Sequence, residues 1–114
     1  MSATGRRERI VRGIEASGVV AVIRLNDGRR VRAVAEALVS GGVQAIEVTM
    51  TVPGALGVIE ELAGSLSKEF LIGAGTVLDA ETARKAILAG ASFVVSPVFN
   101  RSLIETGHVH DVPV

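Results

Sequence analysis

The sequence predicts an α/β fold built on a parallel sheet, and three observations carry that prediction. Apolar runs and amphipathic helical stretches alternate four times along 114 residues. The apolar runs are rich in Val and Ile, as strands covered by helices are. Hydrophobic residues make up 48% of the chain and aromatic residues only 3%, so the core is aliphatic. The strand starts recur about every 22 to 26 residues, the spacing of a repeating supersecondary unit. Two architectures satisfy this pattern: an open doubly wound sheet, or part of a (β/α)8 barrel.

The elements follow in order. Residues 4 to 16 read as a helix with Ile10, Val11 and Ile14 on one face. Ser17-Gly18 ends it, and Val19 to Arg24 is a buried strand. Asn26-Asp27 caps a second helix whose apolar stripe is Val31, Val34, Ala35 and Leu38, stopped by Gly41-Gly42. Ala45 to Thr51 is the second strand. Pro53 opens the next helix, where its missing N–H costs nothing, and Gly64 closes it. Phe70 to Val77 is the third strand. Asp79 caps a helix through Ala83, Ala86 and Ile87, which Gly90 ends. Phe93 to Val98 is the fourth strand. Asn100 caps a short helical turn through Leu103 and Ile104. His108 to His110 reads as a polar link, and Val112-Pro113-Val114 as the start of a fifth strand. Nothing marks a linker, so residues 1–114 are expected to form one domain.

Composition closes off several functions. Twelve basic and twelve acidic residues give zero net charge, so neither nucleic acid nor a membrane surface is an expected partner. There is no cysteine, hence no disulfide scaffold, thiolate metal site or cysteine nucleophile. That fits a cytoplasmic protein. No apolar run reaches the roughly 18 residues of a membrane span. Glu8, Arg9 and Arg12 interrupt any signal-peptide core. His108 and His110 have only Asp111 nearby, too little for a metal site, so no metal is expected.

In both architectures ligands bind at the C-terminal ends of the strands. The first strand ends in Arg24. The second carries Glu47, Thr49 and Thr51 on one face, opposite Ile46, Val48 and Met50. The third ends in Gly75-Thr76 and the fourth in Ser96-Pro97. A carboxylate inside a strand is costly unless it is paired or used. Taken alone, Glu47 reads as a solvated edge or a structural ion pair, while Arg24 reads equally as a surface residue or a site residue, and Thr76 equally as satisfying a loop carbonyl or facing a ligand. Gly73 and Gly75 read as turn glycines rather than a phosphate cradle. Leu78 stands where a dinucleotide fingerprint needs its third glycine.

The segments Ile46-Glu47-Val48-Thr49-Met50-Thr51-Val52-Pro53, Gly73-Ala74-Gly75-Thr76-Val77 and Val95-Ser96-Pro97, in that order, resemble the 2-keto-3-deoxy-6-phosphogluconate aldolases, which also act as 4-hydroxy-2-oxoglutarate aldolases. The resemblance runs from about Ile10 to the last residue. It implies a (β/α)8 TIM barrel, seen here as about four βα units plus an N-terminal helix. It also implies a trimer and a class I aldol cleavage without metal or organic cofactor. A lysine forms a Schiff base with the keto acid. Pyruvate is released with glyceraldehyde 3-phosphate, or with glyoxylate from the shorter substrate. Glu47 falls on the family's general acid/base, Thr76 on a residue binding the substrate carboxylate, and Pro97 on the pyruvate site. Thr49 and Thr51 share the face of Glu47. Thr51 stands where many members carry arginine and others threonine, and Arg24 is the candidate cation for the substrate carboxylate.

The family's Schiff-base lysine lies on the sixth strand. The lysines here are Lys68, before the third strand, and Lys85, inside a helix, so neither is expected to reach Glu47. The chain is therefore expected not to turn over substrate by itself. Four strands with outer helices would leave an open inward face and open edges, which invites self-association or a partner. The competing reading is a non-catalytic half-barrel assembly module.

Overall fold

The computed structural model describes residues 5–66 and 70–114. Helix α1 (Arg6–Ser17) leads into strand β1 (Ala21–Ile23), and a 3₁₀ turn (Gly28–Arg30) runs into α2 (Val31–Ser40). Then follow β2 (Ala45–Thr49), α3 (Ala55–Ser65), β3 (Leu71–Gly75), α4 (Ala80–Ala89), β4 (Phe93–Val94) and α5 (Arg101–Val109). The strands are all parallel and lie in the order β1-β2-β3-β4. A doubly wound sheet reverses its strand order at a switch point. This sheet does not, so the architecture is a partial (β/α)8 barrel.

The register divides the sheet into two faces. Ile23, Val48, Ala74 and Val94 stand side by side in one row. All four are buried, in one cluster with Val31, Ala35, Ile59, Leu62, Ala83 and Ala86 of the helices. This outward face is the core. The next row, Val22, Glu47, Gly73 and Phe93, faces the other way. That inward face is covered unevenly: Glu47 is 8% exposed and Phe93 4%, while Val22 is 56% exposed. The expectation of an open inward face therefore holds at β1 and not at the middle of the sheet. Val11 and Ile14 of α1, with Val20, line a cavity shared with Glu47 and Phe93.

Several boundaries differ from the sequence reading, each for a local reason. Asp27 caps the 3₁₀ turn rather than α2, its carboxylate accepting from Arg29 N–H at 3.0 Å. Helix α3 begins at Ala55, not Pro53, because Gly54 takes a left-handed φ of 68° before the helix starts. Gly64 lies inside α3 and the chain leaves it at Leu66. Strand β4 stops at Val94, although Val95 N–H still donates to Ala74 C=O at 2.8 Å. Helix α5 runs through His108 to Val109 instead of stopping after one turn. Gly107 does not end it, because Gly107 is buried where a methyl would overlap Val114 and come within 2.8 Å of the Val112 carbonyl. Residues 112–114 lie at the β4 edge, where Val94 N–H donates to Pro113 C=O at 3.0 Å, and Val112 is fully buried. The start of a fifth strand is thus present as one ladder bond.

Asp79 and Asn100 cap α4 and α5 as the sequence predicts, accepting from Thr82 N–H at 2.7 Å and Leu103 N–H at 3.1 Å. The Asn100 amide also donates to Leu78 C=O at 3.3 Å, tying α5 to the loop after β3. Asn100→Ala is expected to lower stability by about 1 kcal/mol, the usual cost of a lost cap. Urea unfolding followed by circular dichroism measures it.

Candidate active site at the C-terminal ends of the strands

The site is built by strand alternation. Glu47 sits mid-strand on the inward face because Ile46 and Val48, its neighbours in β2, are committed to the outward core. Its carboxyl lies over Gly75 of the next strand, where a methyl group would overlap Oε1. Burial pushes the Glu47 pKa up from the ordinary carboxylate value, and the positive charge of Arg24 partly offsets the rise. A carboxyl so placed can hold a proton at a pH where an exposed one cannot, which general acid–base chemistry requires.

Arg24 follows β1 directly and is exposed. Among the described residues it takes part in no ion pair, so its guanidinium is open to an anion. Its effect on Glu47 gives a direct check. Arg24→Ala is expected to raise the Glu47 pKa further, read from the side-chain carboxyl carbon by NMR titration. A lowered or unchanged value would mean that the two groups do not sense each other.

Thr49 ends β2 fully buried, and its hydroxyl shares a 2.7 Å hydrogen bond with that of exposed Thr51. The pair forms a short polar ledge running from the strand into the loop. Thr76 follows β3 with φ of 56°, in the left-handed region. A β-branched residue is strained there, by about 1–3 kcal/mol, and such strain persists only where the surroundings impose it. Val77 N–H, bonded to Val95 C=O at 3.1 Å, holds the turn from the far side. Ser96 folds back on its own loop, donating to Val98 C=O at 3.1 Å. Pro97 is exposed after β4 and does not line the cavity that holds Glu47.

The structure therefore brings Glu47 and Gly75 together, lets the charge of Arg24 act on that carboxyl, and pairs Thr49 with Thr51. Of the residues the sequence singles out, Glu47 lines that cavity; Arg24, Thr49, Thr51, Thr76 and Pro97 stand at or beyond the ends of their strands and do not line it. Two residue roles escaped the sequence reading. Gly73 and Gly75, inside the third strand as expected, are close-packing positions rather than turn glycines, and Phe93 lines the same cavity as the carboxylate. Glycines two apart inside a strand were the available signal, since they strip one face of side chains.

The lysines and histidines lie elsewhere. Lys85 is on α4 in the outer helix layer, 54% exposed and paired with Glu81 at 3.3 Å. Lys68 falls outside the described residues. His108 is in the last turn of α5, and the His110 carbonyl accepts from Arg6 at 3.4 Å. Among the described residues no group of three His, Cys, Asp or Glu side chains could hold a metal ion. Nor is any described helix long and apolar enough to cross a membrane.

A partial parallel barrel with a buried carboxyl on its inner face and a cation at its C-terminal rim has the architecture of the (β/α)8 barrels. The aldolase model for KDPG and KHG aldolases matches residues 10–114, and the chain belongs to that family. The 2-dehydro-3-deoxy-phosphogluconate aldolase of Treponema pallidum is 36% identical over 105 residues, covering 92% of this chain and 50% of that protein. The KHG/KDPG aldolase of Escherichia coli K12 is 34% identical over 95 residues, 83% of this chain and 44% of that protein. Among solved structures, the KDPG aldolase of Legionella pneumophila, captured with pyruvate as a covalent carbinolamine, is similar with a TM-score of 0.80 at 35% identity. That similarity covers 89% of this chain and 48% of the Legionella enzyme. The chain spans about half the length of the curated relatives it matches.

Proposed function

We propose that residues 1–114 form one domain, the N-terminal half of a (β/α)8 barrel, and that it carries the acid–base half of a class I keto-acid aldolase site. The observation that supports this best is the Glu47 carboxyl, buried on the inward face, with the positive charge of Arg24 acting on it. The substrates are 2-keto-3-deoxy-6-phosphogluconate, 4-hydroxy-2-oxoglutarate, or both. Arg24 pairs with the substrate carboxylate, while Thr49, Thr51, Thr76 and Pro97 surround the keto-acid end. The protein works in the cytoplasm as a homo-oligomer, a trimer in the family pattern.

In this scheme a lysine amine adds to the substrate ketone to give a carbinolamine. Glu47, as an acid, protonates the carbinolamine hydroxyl, which leaves as water and yields the iminium. The Glu47 carboxylate then takes the proton of the hydroxyl at C4 as the C3–C4 bond breaks. The bonding electrons pass into the iminium to form an enamine, and the aldehyde leaves. Protonation at C3 and hydrolysis release pyruvate. The protonated imine is the electron sink throughout. Lys85 lies in the outer helix layer, half exposed and paired with Glu81, and the scheme assigns the amine to the second half of the barrel.

Borohydride reduction in the presence of labelled pyruvate tests the proposal. The 114-residue chain alone should give no adduct. The same chain joined to the lysine-bearing half of a family aldolase should be labelled on that lysine, and less so after Glu47→Gln. An adduct on Lys85 in the first case would overturn the scheme. No adduct in the second would leave the assembly-module reading.

The uncovered part of the inward face leads to a further expectation. Val22 of β1 and Val95, just after β4, are exposed apolar side chains at the two opposite edges of that face, and β1 has no partner on its outer side. The chain should therefore associate with itself or with its other half. Size-exclusion chromatography with light scattering should give a mass above that of one chain, and a well-folded monomer would contradict the argument.

A further inference from the structure

Strand β3 has glycine at two successive positions of its inward face, Gly73 and Gly75. Neither needs glycine for its backbone, since neither has a positive φ. What both lack is room. A methyl on Gly73 would overlap the ring of Phe93 from β4. A methyl on Gly75 would overlap Glu47 Oε1 from β2 and stand 3.0 Å from its carboxyl carbon and 3.3 Å from Cγ. Two bulky side chains, one from each flanking strand, thus lie across two bare positions of the strand between them.

The register makes the arrangement directional. Glu47 is paired with Gly73, not Gly75, and Gly73 is also paired with Phe93. The ring of Phe93 fills the space over Gly73, so Glu47 leans forward over Gly75, toward the C-terminal end of the sheet. The backbone beneath it is fixed, with Met50 N–H donating to Gly75 C=O at 2.8 Å directly past the two strands. A side chain at 75 would therefore be relieved by moving the Glu47 carboxyl rather than the strands. The groups at 73 and 75 carry no charge, and the charge that acts on the carboxyl is that of Arg24, the residue after β1.

We propose that Gly75 is a positioning residue, whose missing side chain sets where the Glu47 carboxyl lies, with Phe93 over Gly73 as the stop behind it. The functional meaning of that position rests on the acid–base role proposed for Glu47, but the geometry can be tested without turnover.

The experiment compares Gly75→Ala, Glu47→Ala and the double variant of the full chain with the unsubstituted protein. It reads the Glu47 titration by carboxyl-carbon NMR and stability by urea unfolding. In Gly75→Ala the Glu47 midpoint should fall toward that of an exposed carboxyl, because the group is displaced from its buried place. The destabilisation caused by Gly75→Ala should largely vanish in the Glu47→Ala background, where the added methyl meets no carboxyl. A merely structural glycine would leave the titration unmoved and cost the same in both backgrounds, and either result overturns the proposal. If Gly75→Ala alone does not fold, a double variant that folds like Glu47→Ala supports it, and a double variant that also fails to fold overturns it. Failure of pyruvate trapping in the completed barrel would count against the aldolase scheme and leave these readings untouched.

Discussion

Glu47→Gln is expected to lower kcat/KM for keto-acid cleavage by about 10²- to 10⁴-fold in a barrel completed with a lysine-bearing half, the range usual for loss of a general acid–base group. The amide fills the same space over Gly75 and cannot exchange the proton, so the loss should fall on kcat more than on KM. Single-turnover measurement of pyruvate release checks it. The same substitution should move stability the other way. Burial raises the Glu47 pKa, so the folded chain holds that proton more tightly than the unfolded one. The resulting stability is fully present below the ordinary carboxylate pKa and is lost as pH rises through the folded value. Glu47→Gln should therefore be more stable than the parent at neutral pH and no more stable in mild acid. Urea midpoints at the two conditions give the comparison. A variant that loses activity while gaining stability at neutral pH would locate a functional burden at this carboxyl.

The second large effect is expected from Ile59→Ala. Ile59 of α3 is fully buried in the cluster beneath Ile46, Val48 and Ile72. Truncation removes the transfer energy of its methylenes and leaves a cavity among side chains that are themselves fixed by the sheet, costing about 2–5 kcal/mol. Against a typical domain stability of about 5–15 kcal/mol, that is a large fraction. Urea unfolding followed by circular dichroism should show a lower midpoint with an unchanged slope. The parallel change at Ala33, exposed on α2, to Ser should leave the midpoint nearly where it was.

The sequence made the second strand legible because its two faces differ in kind. Ile46 and Val48 alternate with Glu47 and Thr49, and only a strand separates them into a core face and a site face. The N-caps at Asp79 and Asn100 were legible for a similar reason, since a side-chain acceptor before an amphipathic stretch has one main use. The end of β4 was not. Val95 and Val98 are as apolar as Val94, yet both are exposed, and apolarity alone does not show which side of a half-covered sheet a residue meets. The length of α5 was obscured by the polar stretch from His108 to His110, which reads as a link after a short turn. Gly107 is a close-packing position under Val112 and Val114, a contact that depends on chain arriving later in sequence. The roles of Gly73 and Gly75 were hidden for the same reason. A glycine records that something must come near, but the partner, Phe93 or Glu47, is named only by the strand register.

The strand order has a consequence for how the molecule is made. Each strand pairs with the one preceding it in sequence, and the outer helices seal the core between such neighbours. Short sequence separation between contacting parts favours fast folding. The helix-facing layer can therefore consolidate on the ribosome unit by unit as synthesis proceeds. Glu47 is the exception: its place depends on Gly75 and Phe93, which are synthesised after it, so its surroundings are complete only once those later strands have paired.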